Sequence, residues 1–164
     1  MANTSVFTGA DGSITLSTPE GFEGEKAQEV LTTNDMIAVG RVRNVTVKVT
    51  SDVKPFHEIG QRYATELRPG NIEIAGTIGR AMINGAMLSL LLGEAAGGRP
   101  AASWAQPAFN ITLMVENAAA PGVRNTITLH GVKIDSWSYN MPEDDFVMES
   151  VGFQALYITT ADEA

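Results

Sequence analysis

Residues 70–93 read GNIEIAGTIGRAMINGAMLSLLLG, and the hydrophobic period changes partway along this stretch. Up to Arg80 the apolar residues Ile72, Ile74 and Ile78 fall on alternating positions. That period of two is typical of a strand with one buried face. Residues 70–82 are therefore predicted to form a strand.

Beyond Met82 the alternation stops, and a short helix is predicted over residues 82–92. Gly93 follows it and suits a C-terminal cap. A helix that is apolar on nearly all sides needs partners on more than one side. We therefore expect its apolar side chains to pack against a second copy of the chain; they are Ile83, Met87, Leu88, Leu90, Leu91 and Leu92.

The rest of the chain is predicted to be mostly strands. In the longest of them Val42 lies out of phase with Val45, Val47 and Val49, which predicts a bulge near Arg43–Asn44. A second bulge is expected at Gly131, where the alternation changes phase. The fold class is therefore mainly β, a small sandwich or barrel of about six strands with one flanking helix. The further strands are predicted at 13–17, 39–53, 109–115, 126–136 and 146–158.

Two polar segments interrupt this pattern in what we interpret as a single domain of 164 residues. Residues 18–38 contain Pro19, Gly21 and Gly24, which favours an extended arm with at most a brief helical turn near Lys26–Leu31. Residues 54–69, the long loop, connect the predicted strands 39–53 and 70–82. Hairpin connections usually have about two to five residues, so a loop of this length is expected to be functional or disordered.

The formal net charge of −8 is unevenly distributed along the chain. Residues 1–38 carry −5, residues 39–69 carry +3, residues 70–133 carry +1 and residues 134–164 carry −7. One interpretation is a solvated surface without a specific role. The other is electrostatic complementarity between copies, which orients partners more than it adds affinity.

The sequence offers little catalytic chemistry. Cysteine is absent, and His57 and His130 have no neighbours at a metal-ligand spacing. No nucleophile elbow and no phosphate-binding glycine loop occur. We therefore predict no enzyme activity, no cofactor and no metal. The apolar run near Leu88–Leu92 is too short for a bilayer, so no membrane partner is expected. The negative charge and the few aromatics beside the basic residues argue against a nucleic-acid binder.

The order of these elements resembles that of the tail-tube proteins of tailed bacteriophages, especially those with contractile tails. The resemblance covers about residues 10–158, and the closing pair of strands is its most specific part. Its quoted segments are TITLHGVKIDS (126–136), DFVMESVGFQAL (145–156) and, more weakly, PFHEIG (55–60).

The resemblance implies a barrel-like subunit that closes into six-membered rings, which stack into the hollow conduit through which a phage genome passes. Its implied partners are further copies of itself, a tail sheath protein if the tail contracts, a tape-measure protein, and baseplate or terminator proteins. Genomic DNA would pass through the lumen without specific binding. The implied location is the tail of the virion, after synthesis in the host cytoplasm.

Within this resemblance, the arm 18–38 and the long loop are expected to reach the next ring. The contacts between rings are predicted at Lys54, Phe56, His57, Arg62 and Arg68 on one side and Glu143, Asp144 and Asp145 on the other. The candidate lumen face is formed by Thr46, Lys48, Glu73 and Thr77. The net charge of the chain further suggests a negative wall that repels phosphate.

Two other functions remain open from the sequence. The tube subunit of a contractile injection or secretion system would share the fold and the ring but carry protein cargo. A monomeric β-sandwich binding module would need an exposed cleft, and it would leave the apolar helix partly uncovered.

Overall fold

The computed structural model describes residues 6–34 and 39–163. The described chain has nine strands and two α-helices, with short 3-10 turns at Gly9–Asp11 and Gly93–Ala96. In chain order these are β1 (Gly12–Ser17), α1 (Phe22–Asn34), β2 (Val42–Ser51), β3 (Lys54–Phe56), β4 (Glu66–Arg68), β5 (Ile72–Ala81), α2 (Ala86–Leu92), β6 (Phe109–Glu116), β7 (Arg124–Asn140), β8 (Met148–Ala155) and β9 (Tyr157–Glu163). The predicted mainly β fold is confirmed.

Seven strands form one curled sheet around β7, which is long enough to serve two groups of strands. Its first half pairs with β6 and β9, and β1 pairs with the far edge of β6. Its second half pairs with β8, followed by β5 and then β2. We call these groups the β1 sheet (β1, β6, first half of β7, β9) and the β2 sheet (second half of β7, β8, β5, β2). All pairs are antiparallel.

Bulges bend the sheet where the sequence predicts two of them. The pairing of β2 with β5 shifts between Val42 and Asn44. Gly131 has a φ of 64°, and the pairing of β7 with β6 shifts beside it. A further shift between Ile134 and Ser136 was not predicted. The chain bends at Gly131 because glycine adopts this left-handed conformation with little strain.

The core lies between the two halves of the sheet and the helices. Ile74 and Ile78 of β5 point into it, as the alternation in the sequence predicts. Strands of both sheets contribute the remaining side chains: Leu16, Phe109, Ile111, Leu129, Val132, Ile134, Val151 and Phe153.

The predicted extended arm 18–38 differs from the structure, which forms the 13-residue helix α1 at Phe22–Asn34; residues 35–38 lie outside the described part of the chain. Ala27 and Leu31 are buried, and α1 packs against α2. Gly24 had suggested a loop, yet it is buried inside the helix. A Cβ at this position would lie 2.0 Å from the backbone oxygen of Pro19, so close approach requires the glycine.

The predicted final strand, 146–158, is also different, because the structure divides it into β8 and β9. The break falls at Leu156, whose backbone N–H donates to the His130 carbonyl beside the Gly131 bend. Strand β8 is central, as predicted, since it lies between β7 and β5. Phe146 and Leu156 are exposed rather than covered.

A buried ion pair connects the strands of the β2 sheet to α2. Arg80 and Glu149 are directly opposite each other on β5 and β8, and both side chains are 0% exposed. The indole N–H of Trp137 on β7 donates to Glu149 Oε2 at 2.9 Å. Arg80 donates to Asn84 Oδ1 at 3.1 Å, and the same oxygen accepts the backbone N–H of Ala86 at 3.1 Å. One polar network therefore joins three strands and the start of α2.

Replacement of Glu149 by Gln should destabilise the fold by about 3–5 kcal/mol, because it removes the carboxylate charge that offsets the buried Arg80 charge. Urea unfolding followed by circular dichroism measures this change. The matched control is Glu94→Gln, which breaks an exposed pair with Lys26 at 3.7 Å and should cost less than about 1 kcal/mol. Equal losses in the two variants would contradict a structural role for the buried pair.

Replacement of Gly24 by Ala should destabilise the protein by about 1–3 kcal/mol, since the new Cβ cannot fit beside Pro19 without a backbone shift. Alanine is normally the better helix former, so the expected sign is the reverse of the usual one. The control is Gly85→Ala, which meets no atom within 4 Å and should leave the unfolding midpoint nearly unchanged. A stabilised Gly24→Ala variant would contradict the packing of α1 on Pro19.

Candidate assembly surfaces

The long loop lies at one end of the β2 sheet, where β2 ends and β5 begins. Strands β3 and β4 pair within it as a small hairpin. Every residue from 51 to 69 is exposed, although several are apolar. Phe56, Ile59, Tyr63 and Leu67 are all more than half exposed, and Ile59 is fully exposed. Apolar side chains gathered on an exposed loop are typical of a binding surface.

The acidic turn, residues 141–147, lies at the opposite end of the β2 sheet between β7 and β8. Glu143, Asp144 and Asp145 are exposed there, together with Met141 and Phe146. The structure therefore does not bring the two predicted groups of contacts between rings together within one chain. It places them at opposite ends of the same sheet.

The charge of the long loop is not what the basic stretch 39–69 suggests. Residues 54–69 hold two acids and three bases, a net charge of only +1, and Arg68 pairs with Glu66 at 3.0 Å. The excess bases, Arg41, Arg43 and Lys48, lie on or beside β2 instead. Apolar side chains, rather than net charge, therefore distinguish the loop.

The predicted lumen residues Thr46, Lys48, Glu73 and Thr77 are exposed on one face of the β2 sheet. The strand register extends that face across all four strands, and the face is opposite the core. Its cross-strand rows are Asn44–Gly79–Ser150–Ser138, Thr46–Thr77–Gly152–Ser136 and Lys48–Ala75–Gln154–Lys133.

This polar face is almost neutral. Its first two rows contain only short uncharged side chains and glycines. Charges appear toward the end with the long loop, where Lys48 and Lys133 are matched by Glu73 and Asp135. These four residues balance, Arg43 beside Asn44 adds one base at the other end of the face, and the chain's charge of −8 therefore lies elsewhere on the surface.

Two strand edges border the polar face. In the described part of the chain, β2 pairs only with β5, and β7 beyond Ile134 pairs only with β8. Gln106 covers the Ile134 carbonyl with a hydrogen bond of 2.6 Å. Exposed edges carry unpaired N–H and C=O groups that can bind another strand.

Strand β9 has an exposed outer edge of its own, and its contacts with β7 are largely polar. His130 stacks on Tyr157 with ring centroids 4.2 Å apart. Arg124 donates to Glu163 at 2.6 Å, and this hydrogen bond, with the negative charge of Glu163, raises the pKa of Arg124.

The helix α2 is covered by its own chain more fully than the sequence suggests. Met87 and Leu90 are completely buried, whereas Leu88, Leu91 and Leu92 are half-buried. Contacts with α1 and β7 supply this cover. The six-residue interface predicted on the helix is therefore not available as a set. Ile83 precedes the helix and is exposed.

The described ranges contain no group of three or more acidic or histidine side chains arranged to hold a metal ion. None of the described helices is both long and apolar enough to cross a membrane.

Sequence reasoning missed the Arg80–Glu149 network and the serine-rich half of the polar face. The strand alternation could have placed Ser136, Ser138 and Ser150 on this face once the strand partners were known. The exposed Ile59, Tyr63 and Leu67 were visible in the long loop, but nothing in the sequence distinguishes exposed from buried apolar residues there.

No protein-family model matches the sequence, and no curated protein matches it. Solved structures match its fold along nearly the whole chain. A chain of the anti-feeding prophage tube-terminating cap superposes with a TM-score of 0.67 at 11% identity, covering 99% of this chain and 95% of that one. A chain of the PVC sheath–tube complex, an extracellular contractile injection system, superposes with a TM-score of 0.64 at 9% identity, covering 97% of this chain and 93% of that one. The SPP1 tail-tube chain superposes with a TM-score of 0.56 at 12% identity, covering 96% of this chain and 80% of that one. The chain has a tail-tube-type fold.

Proposed function

We propose that this chain is a structural subunit of the tube of a phage-like tail or contractile injection particle. Six copies close into a ring, and rings stack into a hollow tube. The observation that carries the proposal is the pair of exposed strand edges on either side of one polar face. The similar folds of tube and cap subunits support the same function.

The directions of the strands allow one copy to pair with the next. Three antiparallel steps separate β7 from β2, so the two outer edges run in opposite directions. When a second copy is placed beside the first in the same orientation, its β2 is antiparallel to β7 of the first. A closed ring of such contacts leaves no edge of the β2 sheet unpaired.

The dimensions suit a conduit. Six copies with four strands each give a barrel of about 24 strands spaced about 4.8 Å apart, hence a circumference of roughly 115 Å. The backbone diameter is then about 37 Å for upright strands and larger for tilted ones. Short side chains line about half of the polar face, so most of that width stays open. Thr46, Lys48, Glu73 and Thr77 face this lumen.

Rings stack head to tail because the two ends of the β2 sheet are different. The long loop of one ring meets the acidic-turn end of the next, a heterologous contact of the kind that builds filaments. Apolar side chains such as Ile59 and Phe146 dominate the contact. Lys54, Phe56, His57, Arg62 and Arg68 lie on the loop side of this junction, and Glu143, Asp144 and Asp145 lie on its turn side.

The proposed location is a particle tail, and the role is structural rather than enzymatic. The proposed partners besides further copies are a sheath in a contractile particle, a tape-measure protein, and the terminator and baseplate at the two ends. The cargo is genomic DNA in a phage, passing without specific binding, or protein in an injection system. The neutral polar face suits either cargo, because it offers few ion pairs to hold one.

Cysteine pairs across the proposed ring contact test it, since the natural chain contains no cysteine. Three double variants each combine Ser138→Cys on β7 with one cysteine on β2, at Asn44, Thr46 or Lys48. Together they cover neighbouring registers of the proposed β2–β7 pairing. Within one subunit β2 and β7 are three strands apart, about 14 Å, beyond the reach of a disulfide. We expect one pair to give, on oxidation, a ladder of cross-linked species that ends at six chains.

The matched control introduces the cysteine at Ser150 instead of at Ser138. Ser150 lies in the same cross-strand row, one strand further from the edge. It should give no ladder. Light scattering and negative-stain microscopy of the unmodified protein accompany the test. A monomer at high concentration would overturn the proposed function, and rings without any ladder would overturn the pairing of β2 with β7.

Replacement of Ile59 by Asp should shorten or abolish tubes while leaving single rings intact, because a charge replaces a fully exposed apolar side chain at the stacking end. Tube length is measured by negative-stain microscopy, and ring formation by light scattering. The control is Trp104→Asp, an exposed apolar residue outside both the long loop and the acidic turn. Tubes of unchanged length in Ile59→Asp would contradict the stacking contact.

A further inference from the structure

A groove lies beside the polar face, at the end of the β2 sheet that carries the long loop. Its volume is about 860 Å³. The β7 bend and the segment joining β8 to β9 form its floor, and the start of α1 forms one wall. Leu156 and Tyr157 project at this groove and are 80% and 55% exposed. Such apolar exposure beside a concave surface is typical of a binding site.

The charged residues around the groove are mostly acidic. Glu20, Glu23 and Asp135 line it, together with Lys133, which pairs with Glu23 at 3.0 Å. Asp135 accepts a hydrogen bond from Gln154 at 3.0 Å. The groove therefore suits a partner with apolar side chains and one or two cations.

The root of the long loop, strands β3 and β4, has that chemistry. Lys54 is opposite Arg68, and Phe56 is opposite Glu66, so these four side chains share one face of the hairpin. Phe56 is 56% exposed. Because Arg68 pairs with Glu66, Lys54 is the cation of this face without an ion pair among the described residues.

The strand directions bring the two surfaces together between neighbours in a ring. In the proposed ring the Ser51 end of β2 lies near the Lys133 end of the neighbouring β7, because the two strands are antiparallel. The chain that leaves β2 at Ser51 enters β3 only three residues later. The groove begins at Lys133 and Ile134 of β7. The hairpin root of one copy is thus directed at the groove of its neighbour.

We infer that the groove is the docking site for the β3–β4 hairpin root of the adjacent copy in the same ring. The inference rests on the proposed function. Phe56 packs against Leu156 and Tyr157 of the neighbour, and Lys54 faces Glu20 and Asp135. The tip of the loop, around Ile59, then extends toward the next ring. The root contact closes the ring, and the tip contact stacks it.

The test is the double variant Phe56→Cys with Leu156→Cys, oxidised after assembly. Both positions are exposed in the subunit, so folding should be preserved. We expect a ladder that stops at the ring size, with about tenfold more cross-linked product than in the control Phe56→Cys with Asp144→Cys. The control pair would cross-link if the hairpin root contacted the acidic turn of a subunit in the next ring. Because such links join one ring to another, the ladder would then have no upper limit.

A second measurement uses the natural protein. A carbodiimide joins Lys54 to a carboxylate only where the two are in contact, and mass spectrometry of assembled rings identifies the partner. An amide from Lys54 to Glu20 or Asp135 supports the docking site. Rings in which neither measurement links the hairpin to the groove would overturn this inference and leave the proposed function intact. A chain that stays monomeric would overturn both.

Discussion

The bend of β7 at Gly131 is the constraint on which the other features of the fold depend. A single strand of 17 residues serves two groups of strands because it turns there without losing its partner, β8 continued by β9. The turn exposes the second half of β7 at the outside of the β2 sheet. Among the described residues that half of β7 pairs only with β8, so its other edge borders the polar face.

Below the bend, the Arg80–Glu149 network fixes β5, β8 and the second half of β7 relative to α2. Burying two charges costs free energy, so such a pair stabilises the fold only when its hydrogen bonds are complete. It also favours one specific arrangement of the strands. In the described residues no buried side-chain nitrogen or oxygen lacks a hydrogen-bond partner. The subunit interior is therefore satisfied within one chain.

This completeness changes the physical reason for the proposed assembly. The apolar helix α2 suggested a subunit that needs copies of itself to cover its core, but α1 and β7 provide most of that cover. In the described part of the chain, the groups that remain unsatisfied lie at the periphery: backbone groups along strand edges, including those of β2, β7 and β9, and apolar side chains at the two ends of the β2 sheet. Such a subunit can fold first and assemble afterwards.

The local elements follow from the pattern of residues along the chain. Alternation fixed β5 with its buried Ile74 and Ile78, the phase changes located the bulges at Val42–Asn44 and Gly131, and the four predicted lumen residues share one exposed face. Packing between segments that are distant in sequence sets which surfaces remain exposed. Gly24 looked like a loop residue until Pro19 was seen to approach it, and Met87 looked like an interface residue until it was found buried inside its own chain. Local periodicity depends on a residue's neighbours along the chain, whereas burial depends on segments that are distant in sequence. The packing of those segments against one another cannot be read from the pattern of a single sequence.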